Sequence, residues 1–364
     1  MYNDIRPYRD DEVAEVINRL VNDKEFQASI AAYVLPMMYK ILPGFTRWII
    51  KLSVTRRARL FSTIDDLQQE AAKYLYRLIK RSTSGFSYSG VENLDRSKPM
   101  LFISNHRDIT LDPALVNLAL HESGFTTLEI AIGDNLLTKP WVSDLMRLNK
   151  SFIVKRSEKT KRAMLKASKE LSAYVHHTLN DNKQNVWIAQ REGRAKDGLD
   201  KTNSALISML LLNKEKSMPI KDYLKELNIV PVSISYQYDP CDQDKARELA
   251  QIEQTGEYQK AEHEDIESIT QGILGKKGQI HLSFGEIVSG DFEDSKAIAA
   301  HLDNYIINNY KLYDSNTSAH QALNENGAAV PQLQQRLEGL SEAEQKWLLT
   351  MYANPVNAKQ EINR

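Results

Sequence analysis

The sequence has little cysteine, no long apolar run and no excess of either charge. Its 364 residues include one cysteine, Cys241, which excludes an internal disulfide and a multi-cysteine metal site and fits a reducing compartment. Lysine and arginine total 47 against 48 aspartate and glutamate, so the net charge of -1 gives no general attraction to nucleic acid. A hydrophobic content of 42% excludes a wholly disordered chain. We therefore expect a folded protein with no nucleic-acid partner.

The N-terminus, MYNDIRPYRDDEV, lacks the basic and apolar regions of a signal peptide, which predicts a cytoplasmic protein. A membrane-spanning helix needs about 18 or more consecutive apolar residues. The most apolar stretch, from Ala31 to Val54, is interrupted by Lys40, Arg47 and Lys51. We therefore expect no segment that crosses a bilayer.

One long segment, from Phe26 to Ile64, contains no acidic residue. It carries a charge of +6 among aromatic and aliphatic side chains, from Lys40, Arg47, Lys51, Arg56, Arg57 and Arg59. A helix that lies among lipid headgroups has this composition. A helix that packs on the rest of the protein with a solvated basic face has it too, so both interpretations stay open.

The rest of the chain alternates between short apolar runs and helical patterns. The runs that resemble strands cover residues 99–104, 125–132, 151–155, 185–190, 228–238 and 279–288. This order predicts an α/β fold: a mixed, mostly parallel sheet covered by helices and preceded by an N-terminal helical segment. The serines and glycines of residues 81–90 predict a domain boundary. We expect a helical segment at 1–85, an α/β domain at 86–314 and a helical tail at 315–364.

Candidate catalytic residues stand in ISNHRDITLDPAL, residues 103–115. His106 follows a predicted strand, and Asp108 and Asp112 lie within reach of it. A carboxylate can hold one nitrogen of an imidazole protonated while the other nitrogen takes a proton from an alcohol. Asp112 followed by Pro113 also has the form of a helix N-cap, so a capping role is the alternative.

Two cationic clusters follow later strands. SFIVKR ends in Lys155 and Arg156, and AQREGRAKDG contains Arg191, Glu192, Gly193 and Arg194. Arginine offers forked donors that suit phosphate oxygens, and a glycine lets a ligand approach the backbone. Each cluster alone also fits a solvated loop.

Taken in order, four blocks of this sequence resemble the glycerolipid acyltransferases, which include bacterial glycerol-3-phosphate and 1-acylglycerol-3-phosphate acyltransferases. That family has a His-x4-Asp box, a strand ending in arginine, a Glu-Gly box often written FPEGTRS and a strand with a proline after apolar residues. The corresponding blocks here are NHRDITLD, SFIVKR, AQREGRAKDG and IVPVSIS with Pro231, all within residues 99–236.

The match departs from the family pattern at two places. Leu111 stands where the family has aspartate, and the carboxylate comes one residue later at Asp112. Asp112 therefore reaches His106 only if the loop bulges, and Asp108 is the alternative partner. The Glu-Gly box lacks Phe-Pro and has Gln190 and Arg191 instead, which puts the commonest acceptor in doubt.

The resemblance implies transfer of a fatty acyl group from acyl-CoA or acyl-carrier protein to a hydroxyl of a glycerophospholipid precursor, first of all 1-acylglycerol-3-phosphate. His106 would act as general base, and no metal or other cofactor is needed. The residues that would hold the acceptor are Arg156, Glu192, Gly193 and Arg194, with Lys155 and Arg191 as neighbours.

Alternatives to this reaction stay open. The acceptor could be glycerol-3-phosphate or a lyso-aminolipid, and a catalytically silent lipid-binding protein of the same fold is a second interpretation. Because the expected acceptor and product are membrane lipids, we expect residues 31–60 to rest on the inner face of the cell membrane.

Overall fold

The computed structural model describes residues 1–261, 264–324 and 327–363, which contain seven strands and sixteen α-helices. The strands are β1 Thr83–Ser89, β2 Leu101–Ser104, β3 Glu129–Gly133, β4 Ser151–Val154, β5 Val186–Ala189, β6 Ile229–Tyr236 and β7 Gly278–Phe284. The helices of the first half are α1 Asp10–Asn22, α2 Lys24–Val34, α3 Pro36–Ile41, α4 Pro43–Ala58, α5 Ile64–Ser82, α6 Leu111–Glu122, α7 Pro140–Leu148 and α8 Lys161–Asn180. Those of the second half are α9 Ser204–Leu210, α10 Ile220–Leu227, α11 Asp242–Thr255, α12 Glu264–Leu274, α13 Ser295–Asn308, α14 Asp314–Asn324, α15 Pro331–Leu337 and α16 Glu342–Ile362.

The chain forms two compact units, each built from two separate stretches of the sequence. The smaller unit joins Met1–Tyr74 with Glu129–Ala167, and the larger joins Leu75–Leu128 with Ser168–Arg364. The three segments expected from the sequence, divided at residues 85 and 314, were defined by function as well as by packing, and this division stays a prediction.

The larger unit contains a sheet in the order β1-β7-β6-β2-β5. Strand β2 pairs in parallel with both β5 and β6, β1 pairs in parallel with β7, and β6 and β7 are antiparallel. Every residue of β2 and β6 is buried, as expected for central strands with both faces covered. The prediction of a mixed, mostly parallel sheet covered by helices is confirmed.

Strand β1 was not expected, because residues 81–90 have the serines and glycines of a linker. Phe86 and Tyr88 are half-buried and alternate with exposed serines, which is the two-residue period of a strand. The strand pairs residue by residue with β7 from Gly85↔Gln279 to Ser89↔Ser283. A sheet edge that faces water on one side tolerates these small polar residues.

The smaller unit contains the parallel pair of β3 and β4 and the N-terminal helices. Helix α1 buries Val13, Val16 and Leu20 against Leu148 of α7, with the spacing of one helix face. The predicted N-terminal helical segment is confirmed by the five helices that precede β1. Among the described helices, none is both long and apolar enough to cross a bilayer.

The C-terminal helices are part of the larger unit. Helices α14, α15 and α16 pack with α11 around an apolar cluster that includes Leu333, Leu348, Met351 and Tyr352. The polar tail of the sequence therefore contributes widely spaced apolar residues to a core that it shares with Ala246 of α11.

Candidate active site

His106 lies on the loop between β2 and α6, directly beyond the carboxyl end of a central strand. Its Nδ1 donates to Oδ2 of Asp112 at 3.0 Å, since a carboxylate can only accept. Its side chain is 15% exposed. With the proton on Nδ1, Nε2 of the neutral ring carries the lone pair, and it makes no hydrogen bond with any residue that the structure describes.

Asp112 is fully buried and is the point at which four donors meet. Besides His106, its Oδ2 accepts the amides of Arg107 at 2.6 Å and Asp108 at 2.9 Å, and its Oδ1 accepts the hydroxyl of Tyr236 at 2.9 Å. Such an arrangement fixes the carboxylate and, through it, the orientation of the imidazole.

Asp108 performs the capping role that the sequence allowed for Asp112. Helix α6 begins at Leu111, so Asp112 already lies inside its first turn. Oδ1 of Asp108 accepts the amides of Thr110 and Leu111 at 2.9 and 2.7 Å. Residues 109 and 110 form a turn before α6, and Asp112 beyond this turn bonds to His106.

Two aromatic residues outside the predicted site border His106 and Asp112. Trp187 of β5 lies edge-on to the ring of His106, with 6.2 Å between centroids, and its Nε1 donates to Oγ of Ser104. Tyr236 is the last residue of β6, and burial raises the pKa of its phenol well above the usual value. The only local signal for Tyr236 is that a hydroxyl-bearing residue ends the strand that carries Pro231.

The Glu-Gly box lies in the loop after β5 and adjoins the histidine. The amide of Ala195 donates to the carbonyl of His106 at 2.7 Å. Gly193 has a φ of +72° with open space where a Cβ would stand. Arg194 donates to Oγ of Ser268 at 3.3 Å. Glu192 is exposed and Arg191 is half-buried.

The other predicted cations, Lys155 and Arg156, follow β4 in the smaller unit. Lys155 forms an ion pair with Asp4, and the amide of Arg156 donates to Asp134 at 3.1 Å. The structure thus places His106, Asp112 and residues 191–194 together within one unit. That Lys155 and Arg156 serve the same substrate stays a prediction.

A histidine oriented by a buried carboxylate at a strand end is an arrangement that could perform acid–base chemistry. Residues 85–235 match the family model described as Acyltransferase. Residues 85–235 therefore form an acyltransferase domain, which confirms the resemblance drawn from the four blocks and the prediction of an acyl-transferring enzyme.

Comparison with other proteins adds little to this match. No curated protein matches the sequence. Among solved structures, the crystal structure of PlsC, the 1-acyl-sn-glycerophosphate (LPA) acyltransferase of Thermotoga maritima, aligns over 78% of this chain and 95% of its own, with a TM-score of 0.42 and 14% identity.

Proposed function

We propose that this enzyme transfers a fatty acyl group from a thioester, acyl-CoA or acyl-carrier protein, to a hydroxyl of a glycerophospholipid precursor. The first acceptor to test is 1-acylglycerol-3-phosphate, with glycerol-3-phosphate and a lyso-aminolipid as alternatives. The observation that carries the proposal is the bond between His106 and a carboxylate that three further donors hold in place.

His106 is the general base of this reaction. With Nδ1–H on Asp112, Nε2 takes the proton of the acceptor hydroxyl as its oxygen attacks the thioester carbonyl. The new ester C–O bond forms and the C–S bond breaks. The imidazolium returns its proton to the sulfur, which leaves as the free thiol. Asp112 stabilises the imidazolium between these two steps.

The acceptor is held through its phosphate and glycerol. The support is the position of residues 191–194 beside His106 and the forked donors of Arg194. Gly193 leaves the backbone open on one side, which allows close approach of a headgroup. Arg156 and Lys155 have this role by resemblance to the family.

We further place the protein on the inner face of the cell membrane, bound peripherally through residues 31–60. Helices α2 to α4 expose several large apolar side chains: Tyr33, Val34, Met37, Ile41, Leu42, Phe45, Trp48 and Leu52. The rings of Phe45 and Trp48 stack at 5.8 Å, and six cations lie in the same segment of the sequence. Exposed apolar and basic side chains on one helical segment favour contact with anionic lipid.

The experiment that tests the reaction is thiol release from acyl-CoA with 1-acylglycerol-3-phosphate. His106→Ala should lower the rate by about 10²- to 10⁴-fold, the usual contribution of a positioned base. Asp112→Asn should cause a loss in the same range, because it removes the charge that orients and stabilises the ring. Asp108→Asn is the matched control and should keep the wild-type rate within about ten-fold, well below the contribution of the base.

If the protein is catalytically silent, neither the wild type nor any of these variants will release thiol above the uncatalysed rate with any acceptor. A large loss in Asp108→Asn together with an active Asp112→Asn would instead show that Asp108, and not Asp112, is the functional partner of His106.

A further inference from the structure

The residue after His106 is held at both its main chain and its side chain. Arg107 is buried, and its carbonyl accepts a bond from Nζ of Lys245 at 2.8 Å. Its guanidinium donates to Asp200 at 2.6 Å and to the carbonyl of Gly198 at 3.1 Å. Because Arg107 adjoins His106, the groups that hold Arg107 restrict where the imidazole can lie.

Lys245 connects Arg107 to a buried acidic residue. It lies on α11 with a side chain that is 2% exposed, and it forms an ion pair with Asp239. Burial acts to raise the pKa of Asp239, but the ammonium of Lys245 outweighs this, so that the pKa is lowered. A buried ammonium that has a carboxylate and a carbonyl as partners has little freedom to move.

Two side chains of the C-terminal helices hold Asp239 in turn. The hydroxyl of Tyr352, on α16, accepts the amide of Asp239 at 2.8 Å, and Nη1 of Arg336, on α15, donates to its carbonyl at 3.0 Å. The same two side chains also bind Oδ2 of Asp242, at 2.8 and 2.6 Å. Both main-chain groups of Asp239 are therefore fixed from the C-terminal tail.

Helix α16 also reaches Arg107 by a second route. Gly198, whose carbonyl accepts the Arg107 guanidinium, packs so closely on α16 that a Cβ there would lie 2.0 Å from the carbonyl oxygen of Met351. Next to it, the carbonyl of Asp197 accepts Nδ2 of Asn354 at 2.7 Å. The turn at residues 197 and 198 thus rests on the same helix.

We propose that α15 and α16 position the catalytic loop, and that Lys245 is the positioning residue that transmits their hold to the backbone beside His106. The proposal rests on the proposed function for the catalytic role of His106. It assigns a purpose to a tail in which the sequence shows no motif.

Two variants of the full chain weaken this connection. Tyr352→Phe removes the hydroxyl that joins Asp239 to Asp242 and keeps the ring. The double variant Asp239→Asn with Lys245→Met replaces the ion pair without leaving a buried charge unpaired. Leu348→Ala is the matched control, because this fully buried side chain lies on α16 in the same apolar cluster and cannot form a hydrogen bond.

We expect the kcat of thiol release, per folded enzyme, to fall about ten-fold in Tyr352→Phe and up to about 10²-fold in the double variant, since a 1 Å misplacement can cost that much. KM for acyl-CoA should not change. Amide hydrogen exchange of residues 104–112 should be faster in both variants. Leu348→Ala should keep the wild-type kcat per folded enzyme and the wild-type exchange of this loop.

Unchanged kcat and unchanged exchange in Tyr352→Phe would overturn the proposal, even if the double variant does not fold. An equal loss in Leu348→Ala would also overturn it, because the effect would then be one of general stability. If the wild type releases no thiol with any acceptor, the proposed function fails, while the exchange comparison still decides whether the tail holds the loop.

Discussion

Asp108 and Asp112 are both buried beside His106, but their carboxyl groups have different surroundings. Asp112 accepts bonds from two side chains and two amides, and one of those side chains is His106. Asp108 caps α6 and, in the bonds that the structure describes, accepts amides alone. Burial, followed by repulsion from Asp112, raises the pKa of Asp108. One aspartate therefore orients the histidine, and the ionisation of the other opposes folding.

The pKa of Asp108 gives a prediction at the level of single residues. Its carboxyl is protonated in both folded and unfolded chains below the ordinary value of 3.8. Above 3.8 the unfolded chain loses the proton first, so the stability that Asp108 contributes is lost as pH rises through the folded pKa. Asp108→Asn keeps both amide bonds and removes the charge. Its Tm should equal that of the wild type near pH 4 and exceed it near pH 8, by about 2–4 °C for each kcal/mol gained.

Thermal unfolding of both proteins from pH 4 to pH 8 measures this difference. A Tm difference that does not change with pH would show that Asp108 titrates at its ordinary pKa, and one that grows toward low pH would show that the native state favours the ionised form.

Among the elements, the contact between the 197–198 turn and α16 can be tested with two glycines. Gly193 and Gly198 both have a positive φ, so alanine costs about 1–2 kcal/mol of backbone strain at either position. A Cβ at Gly193 meets open space, whereas one at Gly198 would collide with the backbone of Met351. Gly198→Ala should therefore lose at least about 1 kcal/mol more stability than Gly193→Ala. Denaturant unfolding measures both variants, and equal losses would mean that α16 shifts without cost.

The elements also show what the sequence could and could not predict. Apolar runs predicted the six strands β2 to β7. The signal is clear for β2 and β6, because central strands bury both faces. Strand β1 was missed since its serines and glycines resemble a linker. The loop that carries His106 was predicted as a candidate site because a histidine beyond a strand end is a local pattern. The partners Tyr236, Lys245 and Tyr352 come from distant parts of the chain, and contacts between distant segments leave no local pattern.

The choice between Asp108 and Asp112 shows the same limit on a smaller scale. Their spacing from His106 left both open, because one additional residue in a helix turns a side chain by about 100°. In the fold, residues 109 and 110 form a turn before α6, and Asp112 is the aspartate that bonds to His106. The geometry of this loop depends on the hydrogen bonds that backbone amides donate to Asp112, and these bonds form only in the folded chain.

For the whole molecule, the distribution of charge matters more than its sum. The net charge is -1, yet the acid-free segment around α3 and α4 carries +6. Within that segment Phe45 and Trp48 are 52% and 58% exposed. Single exposed apolar residues are common, but a group of them among cations is typical of a surface that meets lipid. The proposed attachment to a membrane would therefore depend on this segment and not on the protein's overall charge.

The last prediction follows from this distribution. Full-length Phe45→Ser with Trp48→Ser should bind vesicles that contain anionic lipid about ten-fold or more weakly than the wild type, since two large side chains no longer leave water. Ile252→Ser is the matched control, because Ile252 is an exposed apolar residue of α11 at 39%. Raising the salt from about 0.1 M to 1 M shortens the screening length from about 10 Å to about 3 Å and should weaken wild-type binding as well. Sedimentation with vesicles measures all three proteins. Equal binding of the double variant and the wild type would exclude this surface as the membrane contact. Wild-type binding that does not change with salt concentration would exclude a contribution from the cations.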